Sequence, residues 1–105
     1  MTKAKVTDLI VVATAKSKPG KEVELLKALL DVAAPTRAQP GCVNFALYRS
    51  KQDPSVVTAL ERWASMADHE SHIKGAHVAK LMAAMGSLLA GPPAVTTYEI
   101  MNETD

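Results

Sequence analysis

Cysteine is almost absent from this 105-residue chain, in which Cys42 stands alone. A single thiol forms no disulfide within the chain and favours a reducing compartment. An excess of one charge is lacking as well. The net charge is +1 and there is no basic block, so composition gives no reason to expect a nucleic acid partner. Gly86 and Gly91 stand alone, and neither belongs to a phosphate loop or a dinucleotide fingerprint.

Long hydrophobic runs are missing too. No apolar stretch approaches the length of a membrane span, and residues 1–8 lack the apolar centre of a signal peptide. We therefore expect a cytoplasmic protein without a membrane partner. Hydrophobic residues make up 48% and charged residues 22%, an ordinary globular balance. The length predicts a single domain over residues 1–105, with an ordered core at about 8–101 and a polar tail at 102–105.

Hydrophobic spacing divides the chain into four strands and three helices. Apolar, β-branched runs predict strands, and apolar residues at helical spacing predict helices. Pro35 is expected to weaken the end of the first helix, whereas Ser65 and Asp68 predict the N-terminus of the second. The predicted elements are strands 9–15, 42–49, 56–63 and 94–101, and helices 21–34, 65–74 and 76–89.

The order β-α-β-β-α-α-β is the split βαβ pattern of ferredoxin-like α+β folds, with the last two helices taken as one unit. It predicts a four-stranded antiparallel sheet with the helices on one face. Side chains alternate between the faces of a strand, which groups Cys42 with Ala46 and Tyr48. Both faces are largely apolar. The uncovered face therefore predicts a homodimer that packs sheet against sheet, as a dimeric α+β barrel.

Titratable side chains gather where the third strand leads into the second helix. Glu61 and Trp63 lie on one side of that strand, and His69, His72 and His77 follow. A strand end beside a helix with such side chains is a common way to line a pocket. Imidazole ordinarily titrates near neutral pH, so His72 is our candidate for a general base.

The three histidines also have structural explanations. His72 fits a partly exposed helix residue without a task. His77 follows Gly75 and fits a residue that caps or orients the next helix. We expect His69 to face solvent.

Glu61 and Trp63 each have a functional and a structural explanation. A carboxylate among apolar neighbours needs a partner, which is either a histidine or substrate hydroxyl, or Arg49 or Arg37 in an ion pair. Trp63 either stacks on a flat substrate or packs in the core.

Asn44 and Tyr48 are the polar candidates of the second strand. They are able to offer hydrogen bonds to a ligand, although strand-edge polarity or a dimer contact explains them equally well. A helical metal pair needs two histidines four residues apart, whereas the intervals here are three and five. With no second cysteine and no clustered carboxylates, we predict no metal site and no cofactor.

An ordered set of short motifs resembles the antibiotic biosynthesis monooxygenase (ABM) family. The motifs are Lys18-Pro19-Gly20-Lys21, Pro35-Thr36-Arg37, Pro40-Gly41-Cys42, Leu47-Tyr48-Arg49, Glu61-Arg62-Trp63, His72 with His77, and Leu88-Leu89-Ala90-Gly91-Pro92. They run in family order across nearly the whole chain. The resemblance implies a dimeric ferredoxin-like fold with a pocket between sheet and helices in each subunit.

The resemblance is nearest to the group of quinol monooxygenases and isomerases of a phosphorylated signalling sugar, which keeps two histidines separated by four residues. The sequence differs from the haem-degrading branch, because Val11, His72 and Met82 stand where that branch has Asn, Trp and His. It also differs from the aromatic-polyketide branch, in which an Asn stands at the place of Ala59.

Three functions are therefore open. The first is a cofactor-independent monooxygenase of a small quinol or phenol. Its catalytic residues would be His72, Glu61 and His77, and its substrate-binding residues Trp63, Tyr48 and Asn44. The second is an isomerase of a phosphorylated enediol sugar, with Lys74 or Lys80 on the phosphate. The third is a non-catalytic dimeric module that binds a small ligand.

Overall fold

Seven elements form within residues 8–102, the part of the chain that the computed structural model describes. The strands are β1 (Leu9–Lys16), β2 (Cys42–Arg49), β3 (Val56–Trp63) and β4 (Ala94–Glu99), and the helices are α1 (Glu22–Arg37), α2 (Met66–Ile73) and α3 (Ala76–Leu88). The predicted order of strands and helices is confirmed. Residues 103–105 of the expected tail lie outside the described residues. Within residues 8–102, no helix is both long and apolar enough to cross a membrane.

Helix α1 continues past Pro35, the residue that was expected to weaken its end. Pro35 lies inside the helix, which ends at Arg37, three residues beyond the predicted position. The next turn still closes, because the backbone N–H of Ala38 donates to the carbonyl of Ala34 at 3.1 Å. Thr36 is fully buried, and Arg37 Nε donates to the carbonyl of Phe45 at 2.9 Å. These contacts outweigh the local effect of a proline.

The sheet has the strand order β2-β3-β1-β4, and each neighbouring pair is antiparallel. Val11 of β1 lies opposite Glu61 of β3 on one side and Thr97 of β4 on the other. At the other end of the same strands, Ala15 lies opposite Val57. The ferredoxin-like α+β fold predicted from the element order is confirmed.

One face of the sheet packs against α1 and α3, and the core lies in between. Residues from all of these elements form two buried clusters. The first consists of Ala15, Leu25, Leu29, Val57, Met85, Leu88 and Leu89, and the second of Val32, Ala33, Phe45 and Ala59. This helix-covered face also carries Glu61 and Trp63, because they alternate in step with Val57 and Ala59.

A β-bulge at the start of β2 changes the face of Cys42. Cys42 lies opposite Trp63, whereas Asn44 lies opposite Arg62. Cys42 therefore shares the helix-covered face with Trp63, and Asn44 and Tyr48 point to the other face. The prediction that Cys42 lies on the face of Tyr48 is wrong, because a bulge interrupts strict alternation.

The second face of the sheet, which we call the open face, is not covered by a helix of residues 8–102. Tyr48, Leu60 and Tyr98 on this face are 56%, 37% and 52% exposed. Strand β4 is exposed along its whole length. An uncovered sheet face with several exposed large hydrophobic side chains is a candidate interface.

Candidate functional site

Strand β3 delivers a buried carboxylate and a buried indole to the same side of the sheet. Trp63 is completely buried and Glu61 is 6% exposed. The indole Nε1 donates a hydrogen bond to Glu61 Oε1 over 3.0 Å. Burial raises the pKa of the Glu61 carboxyl above its ordinary value, and the bond from Trp63 partly opposes this change. Trp63 therefore fixes the direction of the carboxylate.

Helix α2 brings two histidines over that indole. Ser65 begins the helix, and its hydroxyl accepts from the backbone N–H of Asp68 at 3.1 Å, as the sequence predicts. His69 and His72 lie three residues apart and so share one helix face. Their ring centroids lie 6.0 and 4.7 Å from that of Trp63. A short capped helix thus holds both imidazoles against the end of β3.

His72 has a different partner at each ring nitrogen. Nδ1 lies 2.7 Å from Oε1 of Gln39, in the loop between α1 and β2. Nε2 lies 3.9 Å from Oε1 of Glu61. His72 is 7% exposed, and burial lowers its pKa to about 4, with further lowering from the nearby His69 and His77. The imidazole is therefore neutral at neutral pH, and the expectation of a pKa near neutrality is wrong for this environment.

A cavity of about 280 Å³ lies between the sheet and the helices. Its polar end is formed by Glu61, His69 and His72, and its apolar end by residues such as Ala15, Val57, Leu29 and Met85. The two ends are separated by four residues along β3, or roughly 13 Å.

The cavity opens between the helices and the edge of the sheet. Ile73, Met82 and Val95 border it and are 54%, 53% and 58% exposed. A ligand would enter between α2, α3 and β4.

The structure brings only part of the predicted residue set together. Glu61 and His72 meet at the polar end of the cavity, whereas Trp63 lies behind them and does not line it. Of the two alternatives for Trp63, its complete burial favours packing in the core over stacking on a substrate. Asn44 and Tyr48 point to the open face and do not reach the cavity.

His77 lies beside His72 but outside the cavity lining. The two ring centroids are 5.7 Å apart, and within residues 8–102 the buried Nε2 of His77 has no hydrogen-bond partner. His77 therefore contacts His72 without reaching the cavity.

Two residues of the site were assigned no role from the sequence. His69 was expected in solvent, yet it lines the cavity and is half-buried. Its spacing of three residues from His72 was the available signal, because such pairs share a helix face. Gln39 gave no signal, since it lies 33 residues from His72 in a connecting loop. Among the described residues, no group of three His, Cys, Asp or Glu side chains is placed to hold a metal ion.

A helix-covered antiparallel sheet with an apolar cavity and one polar end defines a class of small ferredoxin-like α+β folds rather than one reaction. The family model described as antibiotic biosynthesis monooxygenase matches residues 8–84. The chain belongs to this ABM family.

Several relatives agree with this assignment. Rv0793 of Mycobacterium tuberculosis, named as a proposed monooxygenase, is 37% identical over 79 residues, which cover 74% of this chain and 77% of that protein. A structure named as a proposed antibiotic biosynthesis monooxygenase of Caulobacter crescentus is 35% identical, with a TM-score of 0.85, and covers 91% of this chain and 92% of its own.

More distant proteins extend the comparison of the fold. A Nitrosomonas europaea structure has a TM-score of 0.89 at 18% identity, covering 99% of this chain and 100% of its own, and it supports the fold alone. The uncharacterized protein sll1783 of Synechocystis is 24% identical over 92 residues. The chain aligns to 88% of its own length and to 63% of that relative, so it spans less than two thirds of sll1783.

Proposed function

We propose that this chain is a monooxygenase that oxidises a small quinol or phenol in the cavity without a cofactor. The observation that carries the proposal is the single polar end of an otherwise apolar cavity, where the carboxylate of Glu61 and the imidazole of His72 meet. Family membership and the monooxygenase names of the relatives from Mycobacterium tuberculosis and Caulobacter crescentus support it.

The cavity suits a ligand with hydroxyl groups near one end and an apolar ring body. A volume of about 280 Å³ is near the lower limit of small-molecule sites, so a compound of one or two rings fits. Hydroxyl groups at the apolar end would lose their hydrogen bonds to water, which disfavours polyhydroxylated ligands.

Proton removal falls to His72, with Glu61 as its partner. His72 is neutral at neutral pH, and its Nε2 faces Glu61, so this nitrogen accepts the proton of a ring hydroxyl. A pKa of about 4 makes the imidazole a weak base on its own. The carboxylate 3.9 Å away stabilises the imidazolium once it forms, and the buried site strengthens that attraction.

The electron-rich anion then reduces dioxygen directly. One oxygen atom bonds to a ring carbon in place of hydrogen, and the other leaves as water. The ring supplies all four electrons, so a phenol becomes a quinone and a quinol becomes a hydroxyquinone. The proton held by His72 returns to the departing oxygen. The protein contributes proton transfer, orientation and exclusion of water.

The isomerase alternative is less well supported. A phosphorylated sugar needs a cation for its phosphate, and the cavity lining drawn from residues 8–102 holds neither lysine nor arginine. Lys74 and Lys80 are exposed and lie outside that lining. A non-catalytic binding module stays the second candidate, because an apolar cavity also serves simple ligand capture.

The open face supports a homodimer that packs sheet against sheet. Leu60 lies on β3, one of the two central strands, and is flanked by Val12 and Ala46 of the neighbouring strands. We expect sedimentation velocity to give a dimer at micromolar concentration and Leu60→Lys to give a monomer, since a buried unpaired charge opposes association. A wild-type monomer under these conditions would remove the dimer from the proposal.

Oxygen uptake across a panel of quinols and phenols tests the reaction. His72→Gln is expected to lower kcat by about 100-fold or more for the best substrate, in the range typical of a lost general base. Ser71→Ala is the matched control, because Ser71 is the exposed neighbour of His72 on α2 and lies outside the cavity lining.

Two results would contradict the mechanism. Uptake unchanged in His72→Gln would remove that residue from the chemistry. No uptake with any compound, together with tight binding of one of them, would favour the binding module.

A further inference from the structure

The hydrogen bond between Gln39 and His72 joins the loop before β2 to α2, 33 residues further along the chain. It engages Nδ1 of the imidazole and leaves Nε2 without this partner. We infer that Gln39 is a positioning residue that keeps the proton of His72 on Nδ1, so that Nε2 stays an acceptor at the polar end of the cavity. Its catalytic consequence rests on the proposed oxygenase function, whereas the position of the proton does not.

The chemistry of the two partners determines the tautomer. Oxygen Oε1 of Gln39 only accepts hydrogen bonds, and at 2.7 Å from His72 Nδ1 it requires a proton on that nitrogen. The opposite tautomer would place the proton on Nε2, facing Glu61 Oε1 at 3.9 Å, which is too long for a hydrogen bond. That oxygen already accepts from Trp63 Nε1. Among residues 8–102, one tautomer therefore gains a short hydrogen bond to Gln39, and the other gains none of comparable length.

The backbone of Gln39 is held in place on both sides. Its N–H donates to the carbonyl of Thr36 at 3.0 Å, and its carbonyl accepts from the N–H of Cys42 at 3.1 Å. The side chain thus leaves a turn fixed between the end of α1 and the start of β2.

The same turn is attached to the segment that begins α2. The carbonyl of Gly41 accepts from the N–H of Ala64 at 2.8 Å, and the side chain of Asp68 fills the space beside the Gly41 α-carbon. The loop that carries Gln39 and the helix that carries His72 are therefore held together independently of the hydrogen bond between them. Because the loop is already ordered, little conformational entropy is lost when the Gln39 side chain binds the imidazole.

The tautomer is measurable without any turnover. Long-range proton–nitrogen correlation spectra of the nitrogen-labelled protein distinguish a protonated imidazole nitrogen from an unprotonated one. We expect His72 to show a protonated Nδ1 and an unprotonated Nε2 at neutral pH. A protonated Nε2 in the wild-type protein would overturn the inference, and this measurement needs no variant that has to fold.

Substitutions at Gln39 extend the test. Gln39→Leu removes the acceptor at similar size and is expected to give a mixture of both tautomers, with kcat lowered about tenfold and KM unchanged. Gln39→Glu restores an acceptor and is expected to restore the Nδ1–H tautomer. A Gln39→Leu protein that keeps a single Nδ1–H tautomer would contradict the positioning role.

Failure of the proposed reaction has a separate signature. A wild-type protein with the Nδ1–H tautomer that consumes no oxygen with any quinol upholds the role of Gln39 and contradicts the oxygenase alone. Oxygen uptake by a wild-type protein with the Nε2–H tautomer would uphold the oxygenase and contradict the role of Gln39.

Discussion

The two ends of the cavity are built in different ways. Two hydrogen bonds hold the polar end: one within β3, from Trp63 to Glu61, and one between His72 of α2 and Gln39 of the loop before β2. The apolar end is formed by packing alone, where Ala15 and Val57 face Leu29 and Met85. Hydrogen bonds fix directions, whereas packing fixes volume. Under the proposed oxygenase function, we therefore expect the polar end to determine which atom reacts and the apolar end to determine which compounds enter.

The largest expected effect comes from the indole beneath the polar end. Trp63→Ala should lower the free energy of unfolding by about 3–5 kcal/mol, because Trp63 is fully buried and the donor to Glu61 is lost with it. Val57→Ala at the apolar end should cost only about 2 kcal/mol, since fewer buried atoms are removed. Urea denaturation followed by circular dichroism measures both. Equal losses would contradict the view that the polar end depends on Trp63.

The turn beside the polar end provides the second comparison. Gly41 and Gly20 both have φ of 83°, but an added Cβ would meet the Asp68 side chain at Gly41 and nothing within 4 Å at Gly20. Gly20→Ala should therefore cost only the backbone strain of about 1 kcal/mol. Gly41→Ala should cost about 1 kcal/mol more than that, because Asp68 has to move. Similar stabilities of the two variants in urea would show that the Asp68 contact is unimportant.

The pH dependence of stability tests the burial of His72. Its folded pKa of about 4 lies below the unfolded value, so the neutral form is favoured by folding. This contribution is complete above the unfolded pKa of about 6.5 and is lost as the pH falls through about 4. Between about pH 7 and about pH 4.5, the free energy of unfolding of the wild-type protein should fall by about 2 kcal/mol more than that of His72→Gln. Urea denaturation at each pH measures both.

Glu61 acts in the opposite sense, because its raised pKa adds stability at low pH that is lost as the pH rises through the folded value. Comparison with His72→Gln separates the two groups, since both proteins contain Glu61. Parallel stability curves for the two proteins would mean that His72 is not buried in its neutral form.

The smallest effect is expected at the apolar end. Ala13 lines the cavity from β1, and Ala13→Leu should raise KM about tenfold by filling space, with kcat retained. Ala83→Leu on the exposed side of α3 is the control with the same change of side chain. Steady-state oxygen uptake provides both constants. An unchanged KM in Ala13→Leu would show that the substrate does not reach that part of the cavity.

Local sequence signals were sufficient for most of the fold. Alternation predicted β2 and β3 to the residue, and Ser65 marked the start of α2 correctly. The signals failed where distant contacts decide the outcome. Pro35 did not end α1, since Thr36 and Arg37 are held by the rest of the protein. The bulge after Cys42 depends on how β2 pairs with β3, which the local sequence of β2 does not reveal.

The site was predicted only in part, for a related reason. Glu61 and His72 were proposed because a carboxylate among apolar neighbours and a helical histidine near one strand end are local features of the sequence. Their pKa values depend on burial, which sequence patterns do not measure, so His72 was expected near neutrality and is shifted to about 4. Gln39 was missed because its contact with His72 exists only after α1, β2 and α2 have packed together.

The most direct test of the central claim asks whether a ligand in the cavity touches His72. The wild-type protein, labelled with nitrogen-15 at histidine, is titrated with 1-naphthol in the absence of oxygen, so that binding occurs without turnover. We predict that the resonance of His72 Nε2 shifts on binding as it accepts the hydroxyl proton in a hydrogen bond, whereas that of Nδ1, bonded to Gln39, changes little. Saturation of the protein with no change at His72 Nε2 would contradict the account.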